Sequence, residues 1–149
     1  LVLQRGADLS ERLHHATAHA LTHGYDQVAI MDSDSPTLPV TSVCRAFEAL
    51  DGPADVTLGP CDDGGYYMIG LKRPAPNLFL NVTMSTPTVA KDTLAQAQAN
   101  GLNVELLPTC YDIDYVADLH RLIAELATLP ETVAAHTRTF IANNPAVRL

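Results

Sequence analysis

Three acidic pairs, each just after an apolar run, carry the chemistry open to this sequence: Asp32 with Asp34, Asp62 with Asp63, and Asp112 with Asp114. Asp32 and Asp34 stand at i and i+2 behind Val28-Ala-Ile-Met31, so an extended backbone turns both carboxylates to one side. Hard carboxylate oxygens suit Mg²⁺ or Mn²⁺, and a cation so held suits the diphosphate of a nucleotide. Ser33 and Ser35 add hydroxyls beside that set for contact with a substrate. The second pair runs into Gly64-Gly65, where two residues without side chains let a ligand come close to the backbone. Tyr66 and Tyr67 then point to opposite faces of a strand, Tyr66 toward a sugar or base and Tyr67 inward. Each feature also has a plain use: acidic turns cap helices, glycine pairs link strands, and tyrosines fill cores.

The elements needed to position these residues alternate along the chain. Asp8-Leu-Ser-Glu11 has the form of a capping box, and Leu9, Leu13, Ala16 and Ala20 recur at helical spacing until Gly24. Val28–Met31 is apolar without alternation, which predicts a central strand buried on both faces of a parallel sheet. Val43, Ala46, Phe47 and Leu50 predict a second helix, ended by Asp51-Gly-Pro53. Strands follow at 55–58 and 66–71, then a proline-rich connection around Pro74 and Pro76. Thr86-Pro87 predicts a helix start with a hydroxyl cap and proline at the first position. Residues 103–107 read as a strand. A helix with the stripe Val116, Leu119, Leu122, Ile123 and Leu126 comes next, and a last helix runs from about Pro130 to Asn143. Strands alternating with helices predict an α/β fold, a mostly parallel sheet with helices on both faces, and acidic loops gathered at one sheet edge.

Composition narrows the classes. The chain has 149 residues, 47% of them hydrophobic and 17% charged, enough for one domain with a real core. Nine Lys and Arg against 17 Asp and Glu give a net charge of −8, which argues against nucleic acid and anionic membrane surfaces as partners. Cys44, Cys61 and Cys110 are odd in number and lack CxxC spacing, so they read as unpaired core residues in a reducing compartment, the cytoplasm. No run approaches a membrane span and no signal peptide is visible. His15, His19 and His23 share one helix face, read as solvated. No Walker A, GxSxG or HExxH pattern occurs.

A set of ordered motifs adds to this reading. Gln4 with Gly6, Asp8-Leu9 and Glu11-Arg12-Leu13 come first, followed by Ser33-Asp-Ser-Pro36 with Leu38-Pro39. Gly59-Pro60 and Asp63-Gly-Gly-Tyr-Tyr67 with Ile69-Gly-Leu71 come next, then Ser85-Thr-Pro87 and Tyr111-Asp-Ile-Asp114 with Asp118-Leu119. In order and spacing this resembles the DUF2064 family of the GT-A nucleotide-diphospho-sugar transferase superfamily, over nearly the whole chain from Gln4 to about Leu126. The resemblance implies a GT-A fold, a Rossmann-like sheet that binds a nucleotide diphosphate through a divalent cation. It assigns Asp34 as metal ligand ahead of Asp32, where the family carries Gly, and Asp112 or Asp114 as the second metal-side acid. It places the Asp63-Gly-Gly loop against the donor sugar or acceptor. Met84 stands where the family pattern has Trp.

GT-A proteins open with a strand and a glycine-rich, Arg- or Lys-bearing phosphate loop, and no such segment stands in residues 1–149. The chain is therefore expected to form a single domain equal to the C-terminal two-thirds of the family domain, lacking the first βαβ portion. An edge left open in such a sheet predicts self-association into a homo-oligomer. The expected function is metal-dependent transfer of a glycosyl group from a nucleotide-diphospho-sugar to an acceptor that the sequence does not disclose, with Asp63 as base. Two alternatives stay open: nucleotidylyl transfer joining an NTP to a small phosphorylated acceptor, and a degenerate GT-A module without catalysis.

Overall fold

The computed structural model describes residues 2–144 and Val147. Its elements are α1 (Leu9–Thr22), β1 (Val28–Met31), α2 (Val40–Asp51), β2 (Val56–Pro60), β3 (Tyr66–Leu71), α3 (Asn77–Leu80), α4 (Val89–Ala99), β4 (Val104–Leu106), α5 (Val116–Leu126) and α6 (Ala135–Asn143). The strands form one mixed sheet in the order β1-β3-β2-β4. β3 is antiparallel to both β1 and β2, and β4 is parallel to β2. The sheet is thus not mostly parallel by its ladders. The reason lies in the short connection 61–65, because a parallel crossover needs a dozen or more residues whereas a hairpin closes in a few. Strands β1, β2 and β4 still run the same way, so their carboxyl ends share one sheet edge.

β1 is not central among the described strands. It lies at one end of the sheet, pairs only with β3, and is half-buried rather than enclosed on both faces. Helices do cover both faces. Val56 and Leu58 of β2 with Ile69 and Leu71 of β3 pack on Leu78 and Phe79 of α3 and Ala90 and Ala97 of α4. Met68 and Ala29 look to the other side, against Ala46 and Val43 of α2. Each large side chain so enclosed contributes roughly 1.5–3 kcal/mol. Leu122 and Leu126 of α5 form a separate cluster with Ile141 of α6.

Local chemistry explains where helix boundaries depart from the periodicity. Asp8 caps α1 by accepting the Glu11 N–H at 2.9 Å, while Glu11 reaches back to the Ala7 N–H at 2.8 Å, one residue before the cap. The buried face of α1 is turned by a residue from the expected stripe. Thr17 is enclosed, its hydroxyl satisfied by the Leu13 and His14 carbonyls, whereas Leu9 and Ala16 are exposed. α3 fills what reads as a mere proline-rich connection; its four residues are too few to show a period. α4 starts at Val89 rather than at Thr86-Pro87, since the Thr86 hydroxyl turns back to the Thr83 carbonyl at 3.1 Å. α6 starts at Ala135, after Ala134 adopts a left-handed φ of 53°. The preceding carbonyls of Leu126, Leu129, Pro130 and Val133 are taken instead by the Arg138 guanidinium at 2.7–3.1 Å. All three cysteines are free; Cys61 is buried and Cys110 half-buried, but Cys44 is exposed on α2 and fills no core. No helix among the described residues is long and apolar enough to cross a membrane.

Candidate functional site

Three loops leave the shared strand edge, and backbone hydrogen bonds stitch them together. The β1 ladder continues one residue, with the Asp32 N–H donating to the Tyr67 carbonyl at 3.0 Å. The Ile113 N–H donates to the Asp34 carbonyl at 3.1 Å, joining the first acidic loop to the third. Cys61 and Cys110 form an isolated parallel bridge, in which Asp62 N–H donates to the Cys110 carbonyl at 3.1 Å and Cys110 N–H to the Pro60 carbonyl at 3.0 Å. The second loop is thereby fixed to the third.

A cleft of about 410 Å³ opens over this edge, and Asp32, Asp63, Gly65, Tyr66, Asp112 and Asp114 line it. Met84, Ser85 and Thr86 also line it. Residues predicted from three distant loops therefore meet in one place. Asp34 is not in the lining, yet its charge bears on both Asp32 and Asp112. Ser33 is exposed outside the lining, and the Ser35 hydroxyl is buried without a hydrogen-bond partner among the described residues.

Asp62 and Asp63, neighbours in sequence, have different partners. Asp62 accepts the Arg121 guanidinium at 2.6 Å, and Arg121 lies over the Tyr111 ring at 3.8 Å. Asp63 turns into the cleft, where its Oδ1 accepts the Gly65 N–H at 2.7 Å. Gly64 holds φ at +97°, and a Cβ there would overlap the Pro87 carbonyl, so its bareness accommodates the protein's own backbone. Its carbonyl accepts the Ala90 N–H at 3.1 Å, docking the loop on the start of α4. Tyr66 faces the cleft and donates to the Met84 sulfur at 3.7 Å, while Tyr67 is fully buried with its hydroxyl on the Pro108 carbonyl at 2.9 Å.

The electrostatics follow from this crowding. Asp32 is pushed up to about 6 from 3.8, first by desolvation, then by Asp34, Asp112 and Asp114. Asp112 is raised too, by burial and then by Asp63, Asp114 and Asp34, partly offset by a backbone hydrogen bond. Burial, reinforced by Asp112 and Asp63, pushes the Cys61 thiol far up, so it stays neutral. Tyr66 rises to about 12, by burial and then by Asp32. One ligand atom each from Cys61, Asp63 and Asp112 lies within 4.8 Å of the others, the one such group of three among the described residues. Sequence reading assigned Asp63 as base and Cys61 to the core, and missed their closeness to Asp112; nothing local in the sequence signals it. Among the described residues, no Lys or Arg lines the cleft.

Residues 1–86 match the family described as uncharacterized protein conserved in bacteria, DUF2064. This chain belongs to the DUF2064 family. A crystal structure similar to this DUF2064 chain is that of a "putative nucleotide-diphospho-sugar transferase" from Desulfovibrio desulfuricans G20. The two agree with a TM-score of 0.84 at 33% identity, over 97% of this chain and 63% of that one. The DUF2064 chain described here thus spans 63% of the length of that neighbour. None of the curated proteins matches it.

Proposed function

We propose that this chain carries the acidic, cation-holding side of a nucleotide-diphospho-sugar transferase site and takes part in glycosyl transfer to an acceptor hydroxyl. The observation that carries the reading is the meeting of Asp32, Asp63, Asp112 and Asp114 in one cleft. A diphosphate approaching bare carboxylates is repelled, so this chemistry requires a cation between them. The donor set suits Mg²⁺ or Mn²⁺: hard oxygens face the cleft, and burial holds the Cys61 thiol beside Asp63 and Asp112 neutral. Asp32 is raised first by desolvation and then by repulsion from Asp34, Asp112 and Asp114, and that repulsion is what a divalent cation offsets. Similarity to the nucleotide-diphospho-sugar transferase structure supports the same direction.

In this reading Asp112 and Asp34, with Asp32 and Asp114 beside them, hold Mg²⁺ or Mn²⁺, which when bound neutralises charge developing on the leaving diphosphate. Asp63 is oriented by the Gly65 N–H on Oδ1, which leaves Oδ2 to accept a proton from the acceptor hydroxyl. Tyr66 and the Met84–Thr86 wall pack against the sugar. The three free thiols fit a reducing compartment such as the cytoplasm.

The test is thermal unfolding with Mn²⁺ against a panel of nucleotide-diphospho-sugars and NTPs, with Asp34→Asn as control. A ligand at about a hundred times its dissociation constant stabilises by roughly 2.7 kcal/mol. The expected result is a Mn²⁺-dependent rise with a sugar nucleotide, lost in the variant, and release of a nucleoside diphosphate on turnover. Pyrophosphate release from an NTP would instead assign nucleotidylyl transfer. No rise with any ligand would sink the reading for this chain.

A further inference from the structure

We propose that Glu125 of α5 is a positioning residue that holds the Asp32–Asp34 loop and the Asp112–Asp114 loop at a fixed spacing through the hydroxyls of Thr37 and Tyr111. The proposal rests on the reading of those acids as a cation site, and it concerns what sets their geometry. Glu125 Oε2 accepts the Thr37 hydroxyl at 3.0 Å and also the Tyr111 hydroxyl. Thr37 lies three residues after Asp34, and Tyr111 immediately precedes Asp112. Both donors are enclosed, at 8% and 6% exposure, so these bonds exchange little with water.

Arg121 adds a second grip one turn away. Its guanidinium lies over the Tyr111 ring at 3.8 Å and donates to Asp62 at 2.6 Å. Residues i and i+4 share a helix face, so one face of α5 holds all three acidic loops. The opposite duty, holding α5 to α6, falls to Leu122 and Leu126 in their own cluster with Ile141. The two hydroxyl partners of Glu125, one on each side, place it as a strut between the loops. Outer partners that orient metal-binding carboxylates commonly alter cation affinity by about 10–100-fold when removed.

The experiment compares Glu125→Ala, Tyr111→Phe and Glu125→Gln with the parent chain. Mn²⁺ affinity is read from the electron paramagnetic resonance of the free ion, and amide hydrogen exchange is followed in EDTA. Glu125→Ala and Tyr111→Phe are expected to weaken Mn²⁺ about tenfold or more. Glu125→Gln keeps an oxygen that accepts both hydroxyls and is expected within about twofold of the parent. Without metal, the Ile113 amide, bonded to Asp34, and the Leu38 amide, bonded to Ser35, should exchange faster together in the Ala variant. The Ile69 amide in the sheet should not change. Unaltered exchange at Ile113 and Leu38, or equal Mn²⁺ affinities in the Ala and Gln variants, overturns the proposal. A parent chain that binds no Mn²⁺ overturns the cation reading, and the strut then stands or falls on the exchange alone.

Discussion

At the scale of single residues, Asp32 has the clearest consequence. Its carboxyl is raised from 3.8 to about 6 by desolvation and then by Asp34, Asp112 and Asp114. A carboxyl raised on folding binds its proton more tightly in the folded chain, so its contribution to stability is full below the unfolded value of 3.8 and is lost as pH rises through about 6. Without divalent cation, Asp32→Asn should therefore be more stable than the parent at about pH 7 and lose that advantage by about pH 4. Asp32 keeps part of its surface in water, so screening limits the gain to about 1 kcal/mol. Urea unfolding of both chains in EDTA at the two pH values measures it. An advantage that does not change with pH would mean that repulsion in the cleft is already relieved. The reach of sequence reading ends at the same scale. Asp62 and Asp63 are indistinguishable as neighbours, and what separates them is Arg121, 59 residues away from Asp62.

At the scale of elements, the 61–65 hairpin is the hinge of the site, and Gly64 is where it is most constrained. A Cβ there meets the Pro87 carbonyl, and the backbone sits at φ +97°. Gly64→Ala is expected to cost about 2–3 kcal/mol, through the combined strain and overlap, and to free the Ala90 amide at the start of α4. Chemical unfolding with amide exchange at Ala90 checks both parts; a loss under about 0.5 kcal/mol would show that the loop adapts at little cost. Elements with strong local signals were legible in the sequence. Val28–Met31 and Tyr66–Leu71 stand where their apolar runs lie, and α5 runs from Val116 to Leu126 along its stripe. Elements set by distant or side-chain partners were not. α6 is delayed to Ala135 by the Ala134 turn and the Arg138 clamp, and α3 is too short to carry a period. The direction of β3 was readable in principle from the length of its connection, which outranks the habit of alternating βα units.

At the scale of the whole molecule, convergence of the acidic loops was legible because β1, β2 and β4 run the same way, despite the antiparallel β3 between β1 and β2. Which carboxylates approach within ligand distance was not, since that depends on the Cys61–Cys110 bridge and the grip of α5. The same arrangement concentrates charge: a chain of net charge −8 lines one cleft with Asp32, Asp63, Asp112 and Asp114, and the charge of Asp34 bears on it from outside the lining. Two effects of added cations then separate. Monovalent salt screens the diffuse repulsion of the whole surface, and raising it from about 0.01 to about 0.3 M, where the Debye length falls well below 10 Å, should raise the melting temperature modestly. Mn²⁺ at matched ionic strength should raise it further, because a held cation acts on the cleft as a ligand. Asp112→Asn should abolish the Mn²⁺ increment and leave the salt increment in place. If salt alone reproduces the whole Mn²⁺ effect, or if Asp112→Asn leaves that effect intact, the cleft concentrates charge without selecting a cation.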